Sequence, residues 1–165
     1  MKKLIVVNGV PGAGKTTVCS MLLNSIKESA WLDGDWCWKL NPYNPSEENK
    51  VMVEKNICFM LKSYLENSGV NSVILSWVIP HDELMNRIID SLYYDRDQLE
   101  TLKITLTCSS NTLKERLAYE GRSTESIIDS QKRLKAYMQM DTIKIDTSKM
   151  SVAEVVDRVM EIINE

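Results

Sequence analysis

The stretch Gly9-Val-Pro-Gly-Ala-Gly14-Lys15-Thr16 constrains this chain more than any other. It matches G-x-x-x-x-G-K-[ST], and it lies between a short apolar run at 4–7 and a helix-patterned stretch at 17–26. Strand, glycine-rich turn and helix in that order give the pattern its physical meaning. The glycines let the backbone curl until successive N–H groups point inward and make a concave anion site. The helix behind the turn adds the positive end of its dipole. Gly9, Gly12, Ala13, Gly14, Lys15, Thr16 and Thr17 are therefore expected to hold the phosphates of a nucleotide. Lys15 would neutralise the terminal phosphates, and the Thr16 hydroxyl would serve Mg²⁺, which prefers oxygen ligands and keeps several waters.

The rest of the chain alternates between strand-length and helical patterns. Apolar runs at 4–7, 30–32, 73–78, 102–107 and 143–145 show little alternation, as strands covered on both faces do. Between them the helices have legible ends. Ser46 reads as an N-cap with Glu47 and Glu48 in the first turn, and that helix should stop near Ser68-Gly69. Asp82 reads as the next cap, Thr112 and Glu115 have capping-box spacing, and Ser151 and Glu154 repeat it. The expectation is an α/β fold with a parallel sheet and helices on both faces.

At 165 residues, a single domain over 1–165 is expected, with room for a core that needs no staples. Net charge is −3, which lacks the basic footprint of a nucleic-acid binder and the polybasic signal for an anionic membrane. Cys19, Cys37, Cys58 and Cys108 form no C-x-x-C pair, and His81 is the one histidine, so a structural zinc site is not expected. Dispersed thiols, the short N-terminal apolar run and the lack of a long apolar segment point to a cytoplasmic protein. His81 itself reads as a residue at a helix start.

Asp33-Gly34-Asp35 ends the second strand-like run. Ligands in open α/β sheets collect at the carboxyl ends of strands, beside the phosphate loop. One carboxylate there could support the metal, and the other could take the proton of an attacking hydroxyl. An ordinary Asp-Gly turn is the other reading.

The motif Leu32-Asp-Gly-Asp35, about twenty residues after the phosphate loop, resembles small P-loop kinases such as adenylylsulfate, gluconate and shikimate kinases and chloramphenicol phosphotransferase. The stretch from Trp31 to Trp36 is similar to that of bacterial ATP-binding proteins of undefined substrate. The resemblance covers the whole chain and implies a three-layer α/β/α fold with strand order 2-3-1-4-5. It also implies ATP and Mg²⁺, with Asp35 as base and a lid at about 117–132. Two departures matter. Trp36-Cys37-Trp38 follows the acidic motif where adenylylsulfate kinases carry Asn and a nearby Arg, and Ser76-Trp77-Val78-Ile79-Pro80 replaces the glycine triplet of shikimate kinases. Neither of those acceptors is expected. The third strand also lacks a terminal aspartate, so metal support falls to Asp33 or Asp35, with Thr16.

Trp36 and Trp77 are candidate substrate contacts, since aromatic faces stack on rings and shield phosphoryl transfer from water, although core packing is open to both. By the same resemblance Arg116 would stack on adenine, while Arg122 and Arg133 would reach the phosphates or substrate, with Gly121 as a hinge. Helix-surface pairing with Glu115, Glu120 or Asp129 is the alternative for these arginines. The loop after Ile145 would border the base, with Asp146 in that role or in a turn. The reading is a kinase with a small-molecule hydroxyl acceptor and catalytic Lys15, Asp35 and Arg122. A nucleoside or nucleotide kinase, or an ATP-binding switch or resistance protein, are the rivals.

Overall fold

The computed structural model describes residues 1–92 and 98–165. Among them, five parallel strands form one sheet: β1 (Lys2–Asn8), β2 (Ser29–Asp33), β3 (Ser72–Trp77), β4 (Leu99–Thr107) and β5 (Ile143–Asp146). Their order is β2-β3-β1-β4-β5, as the resemblance implied. The connecting helices are α1 (Lys15–Ser25), α2 (Glu47–Glu66), α3 (Asp82–Ser91), α4 (Ser110–Tyr119), α5 (Thr124–Gln139) and α6 (Val152–Asn164). A short 3-10 turn, Gly34–Trp38, follows β2.

The central strands carry the core. Leu4, Ile5 and Val7 of β1 and Val73, Ile74 and Leu75 of β3 are fully buried, which explains their unbroken apolar runs. β1 pairs with β3 from Lys3↔Ser72 to Asn8↔Trp77, and β2 pairs with β3 as far as Asp33↔Ser76. These registers bring Asn8, Asp33 and Trp77 to one edge of the sheet, its carboxyl end. On one face α1 packs with α6; on the other α2 covers β2 and β3, and α5 lies on β4. No helix among the described residues is long and apolar enough to cross a membrane.

The helix ends follow local hydrogen bonding. Ser46 accepts from the Asn49 N–H at 3.2 Å, and Ser151 and Glu154 form the reciprocal capping box. Two expected caps move by one and three residues. His81 caps α3 through Nδ1, which accepts from the Leu84 N–H at 3.2 Å. Asp82 is thereby the first helical residue, and both its carboxylate oxygens accept from the Asp141 N–H at 3.1 Å. Ser109, not Thr112, caps α4 and accepts from the Thr112 N–H at 3.1 Å. Thr112 and Glu115 had the right spacing one turn too late. α1 also opens two residues ahead of the expected Thr17, because Gly14 already turns the chain into the helix.

Candidate functional site

The phosphate loop joins β1 to α1. Gly14 stands in the left-handed region (φ 94°) as the N-cap of α1, with no side chain capping the helix. The first-turn N–H groups thus lack a side-chain partner and open onto a cleft, which is what an anion needs there. Gly12 also has positive φ (84°), and a Cβ on it would lie 2.7 Å from Leu117 Cδ2, so the loop packs directly against α4.

Two clefts meet over this loop. The first, of about 370 Å³, is lined by Lys15, Thr16, Asp33, Asp35, Val78 and Arg122, together with loop residues. The second, of about 240 Å³, is lined by Arg116, Tyr119, Thr147, Met150, Val152 and Val155. Gly12, Gly14, Thr17 and Glu120 line both, so the clefts are contiguous. One is charged and polar, and the other is mostly apolar with an arginine at its wall. That pairing suits a triphosphate at one end and a base at the other.

Within the charged cleft, Lys15 Nζ donates to the carbonyls of Gly9 (2.9 Å) and Val10 (3.1 Å). Burial pushes its ammonium down to about 8, against the pull of Asp35 and Asp33. Thr16 Oγ1 donates to Asp33 Oδ2 at 3.2 Å. Asp33 Oδ1 accepts from the Asp35 N–H at 3.1 Å, so Asp33 also caps the 3-10 turn. Asp33 is only 8% exposed, whereas Asp35 stands at the open mouth. Partial burial raises the Asp35 pKa, and the Asp33 charge raises it further; Lys15, the nearby Trp77 indole and Lys39 oppose them. Cys19 lies beneath, its thiol pushed up to about 12 by burial and by Asp33, so it is not an activated nucleophile.

No cluster of three or more His, Cys, Asp or Glu that could hold a metal occurs among the described residues. The donors that do converge, the Thr16 hydroxyl and the Asp33 carboxylate, are oxygens within hydrogen-bond distance of each other. Such a sparse oxygen set fits a cation that keeps most of its water, as Mg²⁺ does.

Arg116 reaches across from α4. Its Nη1 donates to Thr147 Oγ1 and its Nη2 to the Thr147 carbonyl, both at 2.9 Å, which fixes the guanidinium against the apolar cleft. Asp146 is held in its own turn, accepting from the Ser148 N–H (2.9 Å) and hydroxyl (2.5 Å). Arg122 follows Gly121, which has positive φ (73°), and its Nε lies 3.7 Å from Glu120.

The other sequence candidates lie elsewhere. Arg133 is exposed on α5 and lines neither cleft. Trp36 is 48% exposed and lines neither; its ring tilts against Trp31 at 5.1 Å and 55°. Trp31 donates from Nε1 to Ser76 Oγ at 3.0 Å. Trp77 is 8% exposed and packs under Gly34. Sequence reasoning missed Asn8, which is fully buried at the end of β1. Its Nδ2 donates to the Ile79 carbonyl (3.0 Å) and its Oδ1 accepts from the Ile79 N–H (2.9 Å), tying the start of the phosphate loop to the segment after β3. A polar residue closing an apolar strand was the available signal. Glu120, read earlier only as an ion-pair partner, is the side chain that spans both clefts.

The fold recurs among known proteins. A tunicamycin resistance protein from Deinococcus radiodurans superposes with a TM-score of 0.73 at 21% identity, covering 99% of this chain and 96% of that one. A gluconokinase from Sinorhizobium meliloti gives 0.70 at 18% identity, covering 96% and 90%. A shikimate kinase from Bacteroides thetaiotaomicron gives 0.63 at 19% identity, covering 98% of each. At these identities the likeness establishes the fold. No curated protein matches the sequence. A family model described as an AAA domain matches residues 5–139. That match spans most of the chain, and the chain belongs to the AAA domain family, built on the fold of the small P-loop kinases.

Proposed function

We propose that this chain is a small-molecule kinase that transfers the γ-phosphoryl group of Mg·ATP to an acceptor hydroxyl. The observation that carries the reading is the single cleft lined by Lys15, Thr16, Asp33, Asp35 and Arg122, open at Asp35 and continuous with the Arg116 cleft.

The adenine would lie in the apolar cleft against Arg116, and the phosphates on Gly12 to Thr17. Lys15 would exchange the Gly9 and Val10 carbonyls for phosphate oxygens, which return the full charge that burial now discourages. Thr16 and Asp33 would hold Mg²⁺, whose chemistry here is to neutralise the β- and γ-phosphate oxygens. Asp35 would accept the proton of the acceptor hydroxyl as its oxygen bonds to the γ-phosphorus. The bond from that phosphorus to the bridging oxygen breaks, and ADP leaves. A carboxylate with a raised pKa is a better base for this step than an ordinary one. Arg122 would leave Glu120 and meet the charge that develops on the transferring group. Its segment, about 117–132, would close as a lid on the Gly121 hinge and exclude water. Trp36 and Arg133 line neither cleft and are given no part in the transfer.

The reading treats 1–165 as one catalytic domain acting on a small cytoplasmic substrate. The likeness to a tunicamycin resistance protein supports including antibiotics among the acceptors tested. The test is ADP release from Mg·ATP with pooled metabolites and antibiotics, wild type beside Asp35→Asn. A pool that accelerates the wild type alone supports a kinase with Asp35 as base. ATP binding with no response to any pool, and no effect of the substitution, supports a nucleotide-dependent switch instead.

A further inference from the structure

Among the described residues, Glu120 is the one charged side chain that lines both the charged cleft and the apolar cleft. The other residues common to the two, Gly12, Gly14 and Thr17, belong to the phosphate loop and the first turn of α1. Glu120 comes to that junction from the end of α4. The mechanism above uses it only as the resting partner of Arg122. That pair is loose: the Arg122 Nε lies 3.7 Å from the carboxylate, beyond hydrogen-bond length, and both side chains are about half exposed. Glu120 is also poorly placed for its own helix. It is the C-cap of α4, where the helix dipole presents its negative end and disfavours an acidic side chain. The basic residue of that last turn, Arg116, gives both Nη groups to Thr147. Neither helix nor ion pair explains a carboxylate at this point.

Its position is nevertheless fixed. The Glu120 N–H donates to the Arg116 carbonyl at 3.0 Å, ahead of the Gly121 turn. α4 in turn packs on the phosphate loop, with Leu117 against Gly12. The carboxylate is thus held beside the loop, whereas Arg122 lies on the far side of Gly121. A nucleotide with its base in the apolar cleft and its phosphates in the charged one has its ribose at the junction, because the sugar joins the two. We infer that Glu120 binds the ribose, its carboxylate accepting hydrogen bonds from the 2′- and 3′-hydroxyls. This rests on the reading that one nucleotide fills both clefts. A carboxylate only accepts, and a vicinal diol presents a donor to each of its oxygens. The sugar thereby takes the place of Arg122 at Glu120 and releases the guanidinium toward the γ-phosphate.

Titration calorimetry with Mg·ADP and Mg·2′,3′-dideoxy-ADP tests this without turnover. The two ligands share base and phosphates, so the ratio of their affinities reads the hydroxyls and cancels any change at Arg122. The wild type is expected to bind ADP about ten-fold more tightly, the low end for hydrogen bonds to a charged group. Glu120→Ala should bring the two affinities together. Glu120→Gln keeps the shape and an acceptor but not the charge, and should give an intermediate ratio. A wild type without preference, or a Glu120→Ala protein that keeps the full preference, overturns the inference. ADP binding without preference leaves the nucleotide reading standing and removes only the ribose contact. If the wild type binds neither ligand, the nucleotide reading itself fails and this inference falls with it.

Discussion

Replacing Asn8 with alanine isolates the clamp between the phosphate loop and the segment after β3. Asn8 is fully buried, and so is Ile79, whose N–H and carbonyl both bond to the Asn8 amide. Alanine removes both partners and leaves two buried backbone groups unpaired. Each such group costs about 1–3 kcal/mol. A water entering the space vacated by the amide can serve one of them. One group is then left unpaired, and the expected loss is about 1–3 kcal/mol, above an ordinary surface substitution. Asn8 precedes Gly9 directly, so the loop should also shift, and KM for ATP should rise. Urea unfolding followed by far-UV circular dichroism gives the stability change from the midpoint at constant slope. A loss under about 0.5 kcal/mol, with KM unchanged, would show that these bonds hold nothing in place.

Other outcomes follow from the same geometry. Gly34→Ala should destabilise by about 1–3 kcal/mol through overpacking on Trp77, read by the same urea midpoint. Arg116→Ala frees Thr147 and removes one wall of the apolar cleft, so KM for ATP should rise with kcat little changed. Chelation with EDTA should abolish ADP release and leave the melting temperature unchanged, because the proposed cation would serve the phosphates and not the fold. Hydrogen bonding from Arg87 lowers the Glu54 pKa, and bonding from Ser148 lowers that of Asp146. A lowered carboxyl adds stability above its unfolded value of about 4 and loses it as pH falls through the folded one. Arg87→Gln should therefore flatten the acid limb of stability against pH, modestly, since the pair is exposed.

Much of the fold was legible because its signals are local. The unbroken apolar runs of β1 and β3 announce burial on both faces, and Ser46 and Ser151 cap where their spacing says they should. His81 and Ser109 displaced the expected caps because competition among neighbouring polar residues is settled by backbone direction, which spacing does not record. The turn from Gly9 to Thr16 between β1 and α1 was equally readable, as its pattern lies in eight consecutive residues. The surroundings of Asp35 were not. Trp36 and Trp77 look alike in sequence, yet one leans on Trp31 in solvent and the other lies beneath Gly34. Which face a tryptophan takes depends on strand register and on what packs above it. The roles of Asn8 and Glu120 are likewise tertiary, each defined by contacts with distant segments.

The most direct measurement is transfer of a γ-labelled phosphoryl group from Mg·ATP to an acceptor, with wild type and Asp35→Asn compared at matched ATP occupancy. Label on a small-molecule hydroxyl in the wild type, and its loss in Asp35→Asn with ATP binding intact, is the result expected of a kinase with Asp35 as base. Equal transfer by both proteins would contradict the role given to Asp35. Tight ATP binding by both, with label recovered only as ATP across the whole acceptor pool, would contradict phosphoryl transfer itself.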